Sequence, residues 1–157
     1  MKITYVKNRL REALDDAPPM MAATAVKQAE KLLTEMEQEC LARLDELLAA
    51  FPAGLYGDAD ATSIQIRAVY ENARRMIGVG TVAKIPEIDV AARSLCDVAD
   101  GLLTRGKYDW EPLRVHIATM QLLRRPDVPG PAKGQLLVAL ETVRARFAAG
   151  QDAAAKS

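Results

Sequence analysis

The clearest pattern in the chain lies in the stretch AATAVKQAEKLLTEMEQECLARLDELLAAF, from Ala22 to Phe51. Apolar residues recur there at intervals of three and four, with charged residues between them; the apolar set is Val26, Ala29, Leu33, Met36, Cys40, Leu44, Leu47 and Phe51. This spacing places one apolar stripe along a helix of about eight turns. We therefore predict an amphipathic helix that is stopped by Pro52 and Gly54.

The same spacing returns in four later segments, each bounded by capping residues, glycine or proline. The second helix is predicted from Asp58, Asp60 or Thr62 to residues 78–80, and the third from Ile85-Pro86 to Gly106. The fourth is predicted to begin at Asp109 and to end before Pro126, and the fifth follows Gly130-Pro131. No segment alternates apolar and polar residues for long enough to predict a strand. Five helices joined by short connections predict an all-α fold, an antiparallel up-and-down helical bundle.

The predicted bundle covers residues 20–150 and is flanked by two segments without a long apolar stripe. Residues 1–19 are predicted to be an N-terminal arm, basic early and acidic late, with a short helix around Lys7 to Leu14. Pro18-Pro19 interrupts any regular element there. Residues 151–157 are predicted to form a disordered tail.

The composition argues against several classes of function. Lys plus Arg and Asp plus Glu each number 21, so the net charge is zero and the chain as a whole is not attracted to nucleic acid or to a membrane. One histidine and two cysteines are too few for most metal sites, and the sequence has no phosphate-loop, dinucleotide or zinc-protease motif. We expect no metal, no cofactor and no enzymatic activity. Without an apolar stretch of about 18 residues or a signal peptide, we expect a cytoplasmic location.

His116 is the single histidine, and it lies beside the apolar stripe of the fourth helix, three residues after Leu113 and four before Met120. A histidine in such a position is more often buried, with its ring nitrogens hydrogen-bonded to neighbouring groups. The alternative is a phosphoryl acceptor, which requires an exposed ring nitrogen. We expect the buried arrangement.

A local basic patch interrupts the charge balance in the second helix and in the turn that follows it. Arg67 and Arg74 lie seven residues apart and share a helix face, with Glu71 between them, and Arg75 and Lys84 extend the positive charge. Arginines beside glutamate are also ordinary on a solvated helix. The patch is the most informative candidate for a binding surface in this sequence.

The segment from Val69 to Cys96 resembles the histidine phosphotransfer (HPt) domain, whose motif H-x-x-K-G is followed six residues later by a glycine and a hydrophobic residue. Gly78 matches the motif glycine, and Ile85 matches the hydrophobic residue. Residues 91–96 and 115–117 are similar to an HPt-type group of alphaproteobacteria. The resemblance implies an HPt-like four-helix core preceded by the N-terminal arm or helix.

Three positions depart from the HPt motif. Arg74, Ile77 and Lys84 stand where the motif has its histidine, its lysine and its second glycine. An arginine does not accept a phosphoryl group, because its guanidinium stays protonated and has no free lone pair. The resemblance therefore implies a degenerate HPt domain that binds a response-regulator receiver domain or a histidine kinase in two-component signalling, without phosphotransfer of its own.

The residues that this resemblance and the basic patch assign to partner binding lie on the second helix and the following turn: Arg67, Tyr70, Glu71, Arg74, Arg75, Ile77, Gly78 and Lys84. Two alternatives stay open. One is an active phosphorelay protein that uses His116 as its phospho-acceptor. The other is a structural bundle that forms a homodimer through the apolar stripe of its first helix, which has near-heptad spacing.

Overall fold

Six helices make up the regular structure of the computed structural model, which describes residues 19–52, 61–106 and 108–154. They are α1 (Pro19–Ala49), α2 (Ser63–Met76), α3 (Val79–Val82), α4 (Pro86–Arg105), α5 (Glu111–Arg124) and α6 (Gly130–Ala154). No strand occurs within these described ranges. The prediction of an all-α helical bundle is confirmed.

The chemistry of the helix ends follows the sequence closely. Thr62 caps α2 through a capping box, in which its Oγ1 accepts from the Gln65 backbone N–H at 3.3 Å and its own N–H donates to Gln65 Oε1 at 2.9 Å. Pro86 lies in the first turn of α4, and Gly106 ends this helix in the left-handed conformation, with φ 64°. The other two caps considered for α2, Asp58 and Asp60, lie outside the described residues.

Residues 1–36 and 37–157 form two compact units, and the division between them falls inside α1. In the unit of residues 37–157, α4 is the central helix and packs against α2, α3, α5 and α6. Its core-facing residues repeat at helical spacing: Ile88, Ala91, Ala92, Leu95, Val98, Ala99 and Leu102. Several of them are alanines, and small side chains allow neighbouring helices to approach closely.

The apolar stripe of α1 is only partly buried. Leu44, Leu47 and Phe51 are buried in the core of the 37–157 unit, as expected for an amphipathic helix. Val26 and Leu33, which continue the same stripe in the 1–36 unit, are exposed. Spacing puts apolar residues on one helix face, whereas their burial requires a second surface opposite that face.

The C-terminal helix is longer than predicted. α6 continues to Ala154, so residues 151–154 are helical where the sequence predicts a disordered tail. Alanine and glutamine have high helix propensities, which is consistent with this extension. Residues 155–157 and the predicted arm helix around Lys7 to Leu14 lie outside the described residues.

The turn between α2 and α4 contains α3, a single helical turn that the sequence does not predict. Gly78 precedes it with a φ of 92°, and Lys84 follows it with a φ of 59°. The carboxylate of Asp89, on α4, accepts hydrogen bonds from the Gly80 N–H at 3.0 Å, the Thr81 N–H at 3.0 Å and Thr81 Oγ1 at 2.6 Å. These bonds tie the turn to α4 and fix the position at which α2 ends.

Gly80 is the position in this turn with no room for a side chain. A Cβ there would lie 2.6 Å from Asp89 Oδ1 and 2.8 Å from the Ile85 carbonyl oxygen. Because the second of these atoms belongs to the backbone, we expect Gly80→Ala to lower the free energy of unfolding by about 1–3 kcal/mol. Urea denaturation followed by circular dichroism measures this change.

Gly134 in α6 provides a matched control, since no atom lies within 4 Å of the position that its Cβ would occupy. Gly134→Ala should leave the stability unchanged or raise it by up to about 1 kcal/mol, because alanine has the higher helix propensity. Equal stabilities of the two alanine variants would contradict the close packing of Gly80 against Asp89.

Candidate functional site

The basic patch lies on the exposed side of α2. Arg67, Arg74 and Arg75 are all exposed, and the last two belong to the final turn of the helix. The side chain of Arg74 is 65% exposed, and its Nε lies 3.7 Å from Glu71 Oε2. An exposed ion pair at this helical spacing contributes only about 0.3–0.5 kcal/mol. The Arg74 guanidinium can therefore exchange this contact for one with a partner at little cost.

The turn after α2 presents open backbone beside the helix end. Gly78 is exposed, and no atom lies within 4 Å of the position that its Cβ would occupy. Ile77 is half-buried and packs against the core. The surface near the end of α2 thus contains the guanidinium of Arg74, the exposed backbone of Gly78 and the exposed part of the Ile77 side chain.

Lys84 pairs with a carboxylate from another helix, whereas Arg74 pairs within its own helix. Its Nζ lies 2.5 Å from Glu37 Oε2, and the carboxylate of Glu37 is largely buried. The Lys84 side chain is itself 76% exposed, so all four cations of the predicted patch are exposed, and both Lys84 and Arg74 have a carboxylate partner.

A pocket of about 330 Å³ opens between α2 and α4. It is lined by three residues of the predicted site and three from α4: Arg67, Tyr70, Glu71, Asp100, Leu103 and Thr104. The three α4 residues are missing from the sequence prediction. The sequence predicts only that successive helices tend to pack as neighbours. It does not specify which residues of α4 lie opposite α2.

His116 is completely buried, and it links α5 to α4. Its Nδ1 lies 2.7 Å from the Pro112 carbonyl oxygen, which can only accept, so Nδ1 carries the proton. Nε2 then accepts from Ser94 Oγ, at 2.9 Å. The prediction of a buried, hydrogen-bonded histidine is confirmed. The phospho-acceptor alternative is not compatible with this conformation, because neither ring nitrogen is exposed.

Ser94 donates a hydrogen bond to His116, as a nucleophilic serine does to its general base. The surroundings of this pair, however, do not suit acyl transfer. Ser94 lies in the interior of α4, where backbone N–H groups donate to carbonyls one turn earlier. Such N–H groups are not free to form an oxyanion hole next to the serine. The pair is therefore best explained as a hydrogen bond that joins two packed helices.

Cys96 lies beside the basic patch but has little thiolate character. Its Sγ is 3.9 Å from the Tyr70 carbonyl oxygen, on the side of α4 that faces α2. Burial raises the pKa of the Cys96 thiol to about 11, and the neighbouring Asp97 carboxylate acts in the same direction. The thiol therefore stays protonated at neutral pH.

The part of the chain that the structure describes contains neither a candidate metal cluster nor a candidate membrane-spanning helix. Among those residues no group of three or more His, Cys, Asp or Glu side chains is arranged to hold a metal ion. No described helix is both long and apolar enough to cross a membrane.

Comparisons of the chain with known protein-family models, curated proteins and solved structures find no match. The likeness to the HPt motif thus rests on the residues of the α2–α4 segment themselves. Lys84 occupies the position of the second motif glycine and has a φ of 59°, in the left-handed region that glycine adopts most readily.

The burial of His116 predicts a pH dependence of stability. Desolvation lowers the pKa of His116 in the folded protein below its ordinary value of 6.5. Between the two values the unfolded chain binds more protons, so stability is complete above about pH 6.5 and declines as the pH falls towards the folded pKa. The slope is at most about 1.4 kcal/mol per pH unit, and urea unfolding at a series of pH values measures it.

His116 is the single histidine of the chain, so His116→Gln is the control for this titration. The variant is expected to be less stable, since its side chain does not reproduce both hydrogen bonds. Between about pH 7.5 and pH 5.5 its stability should change less than that of the native protein. A slope equal to the native slope would show that another group is responsible.

The raised pKa of Cys96 predicts slow alkylation. In a Cys40→Ser variant, where Cys96 is the remaining thiol, iodoacetamide at about pH 8 should react about 100-fold more slowly with the folded protein than with the protein in urea, because the thiolate is correspondingly rarer. Mass spectrometry of timed samples gives both rates. Similar rates in the two states would contradict the burial of this thiol.

Proposed function

We propose that the protein is a non-phosphorylatable HPt-like module that binds a response-regulator receiver domain or a histidine kinase. The observation that carries this proposal is the position of Arg74. This arginine stands where the HPt motif has its phosphorylated histidine, and it is exposed on α2 within a group of three arginines. A cytoplasmic location is part of the same proposal, because such partners present these domains in the cytoplasm.

Electrostatic attraction explains why an arginine at this position favours binding. The resemblance implies that α2 approaches the phospho-acceptor pocket of a receiver domain, which is lined by carboxylates. Arg67 and Arg74 share a face of α2 and present their charges in the same direction. Opposite charges across an interface accelerate association and select the correct partner.

An arginine at this position can contribute to binding but not to phosphotransfer. A histidine at this position would use a neutral ring nitrogen as nucleophile, whereas the guanidinium of Arg74 remains protonated and has donors only. The module therefore occupies the binding site of a receiver or kinase without passing on a phosphoryl group. This property fits a competitor or an adaptor in the signalling pathway.

The structure around Arg74 favours binding without a large entropic cost. Asp89 holds the turn after α2 through three hydrogen bonds, so the end of the helix is fixed before a partner arrives. The pocket of about 330 Å³ beside Arg67 is large enough for a side chain of the partner, with Leu103 and Tyr70 as apolar contacts.

Charge reversal at Arg74 tests the proposal. Binding of purified receiver and kinase domains from the source cell is measured by isothermal titration calorimetry, first with the native protein and then with Arg74→Glu. We expect at least one domain to bind, and the substitution to raise its Kd by about tenfold or more. Binding should also weaken as the salt concentration increases, because the contact is between exposed charges.

Arg43→Glu is a matched control for this measurement. Arg43 is an exposed arginine that pairs with Glu46 at the same helical spacing as Arg74 with Glu71. The control variant undergoes the same charge change and acquires the same repulsion from a nearby glutamate, so its Kd should stay close to the native value. The proposal is wrong if no receiver or kinase domain binds, or if the two variants bind equally well.

A further inference from the structure

The pocket between α2 and α4 is lined by charges of both signs that have no partner among the described residues. Arg67 contributes a guanidinium from α2, and Asp100 contributes a carboxylate from α4. Both residues are exposed, and neither forms an ion pair or a side-chain hydrogen bond within the described ranges, with each other or with a third residue. By contrast, Asp97, about one turn before Asp100, is paired with Arg144 at 3.3 Å. The Asp100 carboxylate is thus available to a ligand in the pocket.

Glu71 is the second carboxylate of this pocket. Its Oε2 lies 3.7 Å from Arg74 Nε, in a partly exposed pair that is weak enough to be exchanged. When Arg74 turns to a carboxylate of the partner, as the proposed function requires, the Glu71 carboxylate loses its cation. The pocket is then lined by the carboxylates of Glu71 and Asp100 against the single guanidinium of Arg67. This excess of negative charge attracts a cation.

The apolar part of the lining suits the stem of a long basic side chain. Leu103 and Tyr70 are half-buried and line the same pocket as the two carboxylates. Lysine and arginine bury their methylene groups against apolar surface while the charged end meets a carboxylate, and a tyrosine ring also attracts a cation. The volume of about 330 Å³ lies at the lower end of the range of small-ligand sites, which fits one side chain rather than a larger molecule.

We propose that the pocket takes a single lysine or arginine side chain of the protein that binds at Arg74. This inference rests on the proposed function and specifies its partner further: a carboxylate meets Arg74, and a basic side chain beside it meets Asp100 and Glu71. The two contacts support each other, because the partner's carboxylate draws Arg74 away from Glu71 and frees the Glu71 carboxylate for the incoming cation. Paired charges of opposite sign also fix the orientation of the partner on α2.

A capped arginine tests the pocket in the absence of the partner. N-acetyl-L-arginine amide is added to the full chain at about 1–10 mM, because a single side chain binds weakly, and the backbone amide signals of Leu103 and Thr104 are followed by NMR. We expect both signals to shift as the ligand binds. Asp100→Asn, which keeps the shape of the side chain, should weaken this binding by about fivefold or more. N-acetyl-L-glutamine amide, which has no charge, should not shift these signals.

Arg74→Gln tests the release of Glu71 in the same titration. The substitution leaves the Glu71 carboxylate unpaired in the free protein, so the capped arginine should bind about threefold more tightly. Arg93→Gln is the matched control, because Arg93 is an exposed arginine of α4 that forms no ion pair within the described ranges and lies about 10 Å along the helix from Asp100, where its charge is largely screened. Its effect should be smaller. The inference is overturned if native protein and Asp100→Asn bind the capped arginine equally, or if the two arginine variants do.

Calorimetry with a receiver or kinase domain that binds the native protein tests the contact in the complex. Asp100→Lys should raise the Kd by about tenfold or more, because it places a cation opposite the incoming one. Glu39→Lys makes the same charge change at an exposed position of α1 and should leave the Kd close to the native value. A domain whose binding is weakened by Arg74→Glu but not by Asp100→Lys would overturn this inference and leave the proposed function standing. The absence of any binding domain would overturn the proposed function, and the titration with capped arginine would still show whether the pocket takes a cation.

Discussion

The carboxylate of Asp89 is the group on which the arrangement of α2 and α4 depends. It is buried, and a buried carboxylate needs hydrogen-bond donors to offset the loss of hydration. The turn supplies three donors, from Gly80 and Thr81, and thereby holds α3 against the first turns of α4. The close approach requires glycine at position 80, and the turn closes with Lys84 in a left-handed conformation that costs about 1 kcal/mol. Arg74 belongs to the last turn of α2, directly before this turn.

His116 and Arg74 differ in solvent exposure for a physical reason. An imidazole can be buried in its neutral form, and His116 is buried with one proton donated to Pro112 and one lone pair bonded to Ser94. A guanidinium does not lose its charge, so burial without a paired carboxylate would be very costly. Arg74 stays in solvent accordingly. The side chain with ready nucleophilic chemistry is thus buried, whereas the exposed side chain carries a permanent charge.

Much of the fold could be predicted because helix ends depend on local chemistry. Thr62 and Gln65 form their capping box within four residues, and Pro86 and Gly106 bound α4 by their own backbone preferences. The one-turn helix α3 could not be predicted, since four residues are too few to display a helical period. The α4 side of the pocket escaped prediction for a different reason. Asp100 and Leu103 meet Arg67 only because α2 and α4 pack in one particular register.

Helix α1 shows most clearly which features depend on the local sequence and which depend on tertiary packing. Residue spacing determines that Val26, Leu33, Leu44 and Leu47 lie on one face of a continuous helix, because the helical repeat is a property of the backbone. The tertiary structure decides that Leu44 and Leu47 are buried while Val26 and Leu33 are exposed. A side chain is buried only where a second surface packs against it. For Leu44 and Leu47 that surface consists of residues that lie far away in the chain. The same holds for His116, whose position beside an apolar stripe favours burial, but whose hydrogen bond to Ser94 exists only once α5 has packed against α4.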